Sequence, residues 1–134
     1  MSAISTKGIY ALAAMYVLSH AVNDRRMQIK EISAMTQISH GYLEQILSQL
    51  RKSSLLSSTR GAHGGYRLAR KSSEIEVLEI IEAVEGTLCK IEGNVGASII
   101  LEAFWSEMHK KVAEAFSMKL SEIDQLFQPY TYDI

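Results

Sequence analysis

Apolar residues recur at helical spacing between Ser5 and Ala21, with Ile9, Leu12, Ala13, Tyr16 and Val17 on one face. This stretch is predicted to be an amphipathic helix capped by Ser5 or Thr6. A polar break, Asn23 to Arg26, precedes a short predicted strand at Met27 to Ile29 and a small helix from Lys30 to Met35. Thr36 to Ile38 reads as a turn. Ser39 is then expected to cap a longer helix to about Lys52, with Leu43, Ile46, Leu47 and Leu50 turned inward. Two strands, Leu55 to Thr59 and Tyr66 to Ala69, flank Gly61-Ala62-His63-Gly64-Gly65, where glycine supplies the positive φ of a tight hairpin. Val77 to Val84 is predicted to be a helix stopped by Gly86. A glycine-punctuated loop, Thr87 to Gly96, leads into a long helix from Ala97 to about Met118. Ser121 is expected to cap a last short helix ending near Phe127, and Pro129 opens a tail that ends at Ile134.

The predicted fold class is mainly α (α+β): a winged helix-turn-helix head followed by a long C-terminal helix. The head covers residues 1–86, with the helix-turn-helix at about 28–52 and the wing at about 55–70. A loop over 87–96, helices over 97–127 and a tail over 128–134 complete the chain.

Composition narrows the class further. A chain of 134 residues with 47% hydrophobic and 22% charged positions is expected to fold as one domain, or as a head with an oligomerisation extension. No segment approaches the roughly 18 apolar residues of a membrane span, and Lys7 and Gly8 lead into an amphipathic stretch rather than a signal core. A single cysteine rules out an intramolecular disulfide framework and fits a cytoplasmic location. The net charge of −1 hides a split: ten Lys and Arg against three Asp and Glu up to Lys71, then four against twelve from Ser72 onward. A basic half beside an acidic half suggests that one end meets a polyanion, although solvated basic faces also arise by chance.

A small helix, a turn and a second capped helix form a helix-turn-helix pattern. The second helix opens with Ser39, His40, Gly41, Tyr42, Glu44 and Gln45, so small and polar groups crowd the end that would reach base edges. Glu44 can accept from cytosine N4 and Gln45 can pair with adenine, while Arg51 and Lys52 can neutralise phosphate. Arg60 and Gly61 open a ribbon that continues through His63 to Arg67, Arg70 and Lys71. Such a basic wing suits the negative potential of a minor groove. The competing reading is a small α+β domain whose hairpin covers a core edge.

Several blocks resemble the Rrf2 family of bacterial regulators: Ser5-Thr6-Lys7-Gly8-Ile9-Tyr10-Ala11-Leu12, Ile38 to Leu47 with its Tyr42-Leu43-Glu44-Gln45 segment, Leu50-Arg51-Lys52, Arg60-Gly61-Ala62-His63-Gly64-Gly65-Tyr66, and Ile80 to Gly86. The resemblance covers about the first two-thirds of the chain. It implies a homodimeric repressor in which the residue matching Glu44 helps to read bases and the one matching Arg60 enters the minor groove. It also implies that the long helix crosses its dyad mate. The stripe of Leu101, Phe104, Trp105, Met108, Val112 and Phe116 independently suggests a partner surface. An intramolecular core helix is the alternative.

Many members of that family hold an iron–sulfur cluster through three cysteines in the loop before the long helix. Here that loop contains only Cys89, and thiolate ligation needs several converging sulfurs. No cluster is therefore expected, leaving open one completed by Glu or His or shared across a dimer. Cys89 could serve as a redox thiol made acidic by Lys90, but a small apolar filler is the preferred reading. No metal site is expected: His20 and His109 read as satisfied helix histidines, the methionines as core filler, and Glu74, Glu76, Glu79, Glu82 and Glu85 as a solvated acidic face. None of the four histidines is placed near Cys89 by sequence, so an enzyme is not expected.

The tail, with Tyr132, Asp133 and Ile134, resembles the cluster-free, cysteine-metabolism branch of the family. That resemblance implies cysteine synthase as a partner; an ordinary frayed terminus is the plainer reading. Two functions emerge: a homodimeric repressor on double-stranded DNA bearing an inverted repeat, and a protein-interaction module working through the acidic half and tail.

Overall fold

The computed structural model describes residues 4–88 and 99–127. Helix α1 (Thr6–Ser19) starts where Ser5 leaves helical geometry and its hydroxyl accepts the Lys7 N–H at 3.2 Å. It ends two residues earlier than expected, because His20 closes the last turn. Helix α2 (Ile29–Thr36) opens with a reciprocal capping box between Gln28 and Glu31. Gln37 stops it in left-handed geometry (φ 62°) and turns the chain into α3 (His40–Lys52). The strand predicted at Met27 to Ile29 is reduced to one bridge, Met27 to Tyr66, because the capping box draws the following residues into α2.

Strands β1 (Leu56–Thr59) and β2 (Gly65–Leu68) form an antiparallel hairpin in the register Leu56 to Leu68 and Thr59 to Gly65. Leu56 and Leu68 are buried at its base, while the rest of β1 is progressively exposed toward the tip. Helix α4 (Val77–Glu85) follows, and Gly86 caps it with φ 83°. Helix α5 (Ile99–Ala115) and the short α6 (Ile123–Leu126) complete the described chain. Ser121 does not cap α6; it lies inside a single 3-10 turn, Leu120–Glu122, and Glu122 takes the cap position.

One hydrophobic core gathers Ala11, Ala14, Met15 and Leu18 of α1, Ile32 of α2, and Leu43, Ile46, Leu47 and Leu50 of α3. Leu55, Ile75, Ile80 and Leu120 close it. In α3 the periodicity read from sequence corresponds to real burial. In α1 the buried face is instead Gly8, Ala11, Ala14, Met15 and Leu18, whereas Ile9 is exposed and Leu12, Ala13, Tyr16 and Val17 are half-buried. The small residues of α1 let it sit close against the core. Met35 is an exception to the filler reading, since it is 63% exposed.

A second, smaller cluster of Val77, Ile81 and Leu88 takes Val112, Phe116 and Met118 against it. Here the chain leaving α5 runs back along the start of α4. Val77 N–H donates to the Met118 carbonyl at 2.9 Å and Leu78 N–H to that of Phe116 at 2.8 Å. Two amides that a helix start leaves without internal partners are thereby satisfied. Among the described residues, no helix is long and apolar enough to cross a membrane.

Candidate nucleic-acid interface

The inner face of α3 is held by four buried aliphatic side chains, so its remaining positions must face outward. His40, Gly41, Tyr42, Glu44, Gln45, Arg51 and Lys52 are all exposed, as is Ser39 at the cap position. Contrary to expectation, the Ser39 side chain makes no capping hydrogen bond. A Cβ at Gly41 would meet nothing within 4 Å, so packing within the chain does not demand glycine there.

The hairpin tip is shaped by tight backbone approach. A Cβ on Gly64 would lie 2.2 Å from the Thr59 carbonyl oxygen, and one on Gly65 (φ 135°) would lie 2.5 Å from that of Met27. Arg60, Gly61 (φ 108°) and His63 are exposed at this tip, and Arg67 stands half-buried opposite Ser57. Gln28, from the capping box of α2, donates to the Ala62 carbonyl at 3.3 Å and so ties the tip to the helix-turn-helix.

The structure brings α3 and the wing together around one groove of about 390 Å³. Glu44, Ser48 and Arg51 form one wall, and Ser58, Thr59 and Arg60 form the other. Positions 44, 48 and 51 are successive turns of one helix face, a spacing from which Ser48 could have been found in the sequence. Ser58 and Thr59 carried no such signal. Arg51 and Lys52, both expected to neutralise phosphate, face different grooves: Arg51 lines the wing groove, while Lys52 lines a neighbouring one.

Two expectations about charge are corrected. Arg70 does not belong to the wing ribbon; its guanidinium pairs with Glu79 at 2.6 Å and donates to the Glu74 carbonyl at 3.2 Å. The glutamates of 74–85 are not merely a solvated face. Glu79 also accepts the Glu76 N–H at 2.9 Å, Glu76 pairs with Lys119 at 3.3 Å, and Glu85 accepts from Ser5 and Gly8. Burial would raise the Glu79 pKa, but the Glu76 amide and Arg70 outweigh it and hold the carboxyl below its ordinary value.

Along α5 the six stripe residues divide. Leu101, Phe104 and Trp105 are 44–46% exposed, with Phe104 and Trp105 edge to face at 5.0 Å. Met108, Val112 and Phe116 are half-buried, and the last two pack on the head. His109 Nδ1 lies 2.7 Å from the Leu88 carbonyl oxygen, and His20 binds Asp124, so both histidines have hydrogen-bond partners. Cys89, read first as a small apolar filler and alternatively as a redox thiol, and the tail residues Tyr132, Asp133 and Ile134 lie outside the described residues.

A cysteine-ligated iron–sulfur cluster needs several converging thiolates. The sequence has one cysteine, and no group of three or more His, Cys, Asp or Glu residues among those described could hold a metal ion.

The sequence model for the Rrf2 family, described as iron-dependent transcriptional regulators, matches residues 4–127. The HTH-type transcriptional regulator IscR of Cereibacter sphaeroides is 40% identical over 97 residues, which are 71% of this chain and 63% of that relative. Among solved structures, CymR, the global cysteine regulator of B. subtilis, superposes with a TM-score of 0.82 at 31% identity, covering 96% of this chain and all of that one. IscR of T. potens gives 0.77 at 31% identity, covering 98% and 93%. An exposed helix-turn-helix, a glycine-tipped wing and these relatives lead to one conclusion: the chain belongs to the Rrf2 family of transcriptional regulators.

Proposed function

We propose that the protein is a homodimeric repressor that binds an inverted repeat. Each subunit would set α3 in the major groove and its wing in the adjacent minor groove. The observation that carries this reading is the shared groove, with Glu44 and Arg51 on the helix and Arg60 on the wing. An acceptor able to read cytosine N4 and two cations lining the same groove make a surface suited to duplex DNA. The residues proposed to contact DNA are Ser39, His40, Gly41, Tyr42, Glu44, Gln45, Arg51, Lys52, Arg60, Gly61, His63 and Arg67. A mobility shift against the promoter of its own gene tests the reading. Promoter binding that falls steeply with salt and is weakened in Glu44→Ala and Arg60→Ala is expected; unaltered binding in both variants would overturn these assignments.

Dimerisation is supported by apolar surface left uncovered on α5. Ile99 is 85% exposed and Ile100 80%, ahead of Leu101, Phe104 and Trp105. Apolar surface of this kind calls for a partner, and a second copy is the simplest one.

The similarity to CymR supports a link to cysteine or sulfur metabolism, and the single cysteine of the sequence supports a regulator without an iron–sulfur cluster. Ultraviolet–visible absorption of anaerobically purified protein checks the cluster: visible charge-transfer bands would refute its absence.

A further inference from the structure

Helix α1 carries a cation to the recognition surface that the helix-turn-helix pattern does not contain. Lys7, in its first turn, lines a groove of about 660 Å³ with Gly41, Gln45, Gln49 and Lys52 of α3. Glu44 and Ser48 border both this groove and the wing groove, so they form the ridge between the two flanks of α3. One turn beyond Lys7, Tyr10 packs edge-on against Tyr42 with ring centroids 5.5 Å apart. That contact joins the face of α1 bearing Lys7 to the first turn of α3.

The start of α1 is fixed from α4. The Glu85 carboxylate accepts the Ser5 N–H at 3.0 Å and the Gly8 N–H at 2.9 Å, and also binds the Ser5 hydroxyl. An anion is favoured at this end of a helix, where amides point outward. Gly8 permits the approach: a Cβ there would lie 2.8 Å from Ile4 Cγ2 and 3.1 Å from Glu85 Oε1. Burial alone would raise the Glu85 pKa, but hydrogen bonds from Ser5 and Gly8, with the charge of Lys7, lower it.

We propose that Lys7 is a DNA-backbone contact on the flank of α3 opposite the wing, and that Glu85 is the positioning residue that holds it there. The inference rests on the DNA-binding reading. A helix lying in the major groove has a phosphate strand on either side. Arg60 answers one strand and Lys7 the other, so the pair centres α3 between them.

The test is fluorescence anisotropy with two probes: a labelled duplex enriched by the wild-type protein from a random-sequence pool, and the unenriched pool. Lys7→Gln is expected to weaken both by a similar factor and to lower the slope of log affinity against log salt by about one per subunit. Lys7→Arg should restore both. Glu44→Ala should instead narrow the gap between the two probes. If Lys7→Gln leaves affinity and slope unchanged while Arg60→Ala weakens binding, this inference fails alone; if the wild type binds neither probe, the DNA-binding reading fails with it.

Glu85→Gln removes a negative charge near DNA, so charge alone would tighten binding. Positioning predicts the opposite sign, and no further loss in a Lys7→Gln background. Tighter binding, or equal losses in both backgrounds, would overturn the positioning role. Circular dichroism establishes folding at the assay temperature. If Glu85→Gln does not fold, Glu85→Asp replaces it, for which retained charge predicts unchanged binding and the shorter reach to Ser5 and Gly8 predicts weaker binding.

Discussion

The Nε2 of His20, at the end of α1, lies 2.6 Å from Oδ2 of Asp124 in α6, so the last described helix is fastened to the first across 104 residues of sequence. Tyr16 joins them: its hydroxyl donates to Asp124, and its carbonyl lies 2.9 Å from His20 Nδ1. The carbonyl is the main reason that the His20 pKa rises above 6.5; burial opposes it, and Asp124 adds to it. Asp124 is lowered from 3.8, first by Tyr16 and then by His20.

The signs set a pH window for this clasp. A raised histidine contributes stability below its unfolded pKa and loses it as pH climbs through the higher folded value. A lowered aspartate contributes above its unfolded pKa and loses it as pH falls through the depressed one. The clasp is therefore strongest between about pH 4 and about pH 6.5. The melting-temperature gap between wild type and His20→Gln should be wider at about pH 5.5 than at about pH 8. A gap that widens toward alkaline pH would contradict the assignment.

The wing depends on a glycine that nothing larger can replace. Gly64→Ala puts a methyl group 2.2 Å from a backbone oxygen of Thr59, which must move. We expect a loss of about 1–3 kcal/mol, concentrated in the hairpin. DNA affinity should fall while helical circular dichroism is retained. Full affinity in this variant would show that the wing does not meet DNA.

Trp105 is the chain's one tryptophan and stands 44% exposed on α5. If a second copy covers it, its emission will shift to the red on dilution as dimers separate. Trp105→Glu should yield a monomer by light scattering, since a charge buried at an apolar contact is costly. A wild-type protein that is monomeric at all concentrations would refute the dimer.

Base reading and backbone anchoring should separate in the groove shared by α3 and the wing. Glu44→Ala is expected to relax discrimination at one base position by about 1–3 kcal/mol. Arg51→Ala should lower affinity for all duplexes alike and flatten the salt dependence. Swapped phenotypes, with Arg51 carrying the sequence preference, would reverse the roles given to the two residues.

Much of the head was legible because its signals are local. Leu43, Ile46, Leu47 and Leu50 recur at the period of a helix, and the glycines from Gly61 to Gly65 confine the chain to a hairpin. What local signals misjudged were groups whose partners lie far along the chain. Glu85 read as solvated because Ser5 and Gly8 are about eighty positions away, and Arg70 read as part of the wing because Glu79 lies beyond a 3-10 turn.

The sequence by itself determined the helix-turn-helix, the wing and the family, since each depends on short-range periodicity, turn chemistry or residue blocks. Tertiary structure decided which side chains share a surface: Arg51 with Arg60, Lys52 with Lys7, and His20 with Asp124. The reason is that helical spacing fixes which face a residue occupies but not what packs against that face. Only the folding of α1, α4 and α6 around the common core settles it.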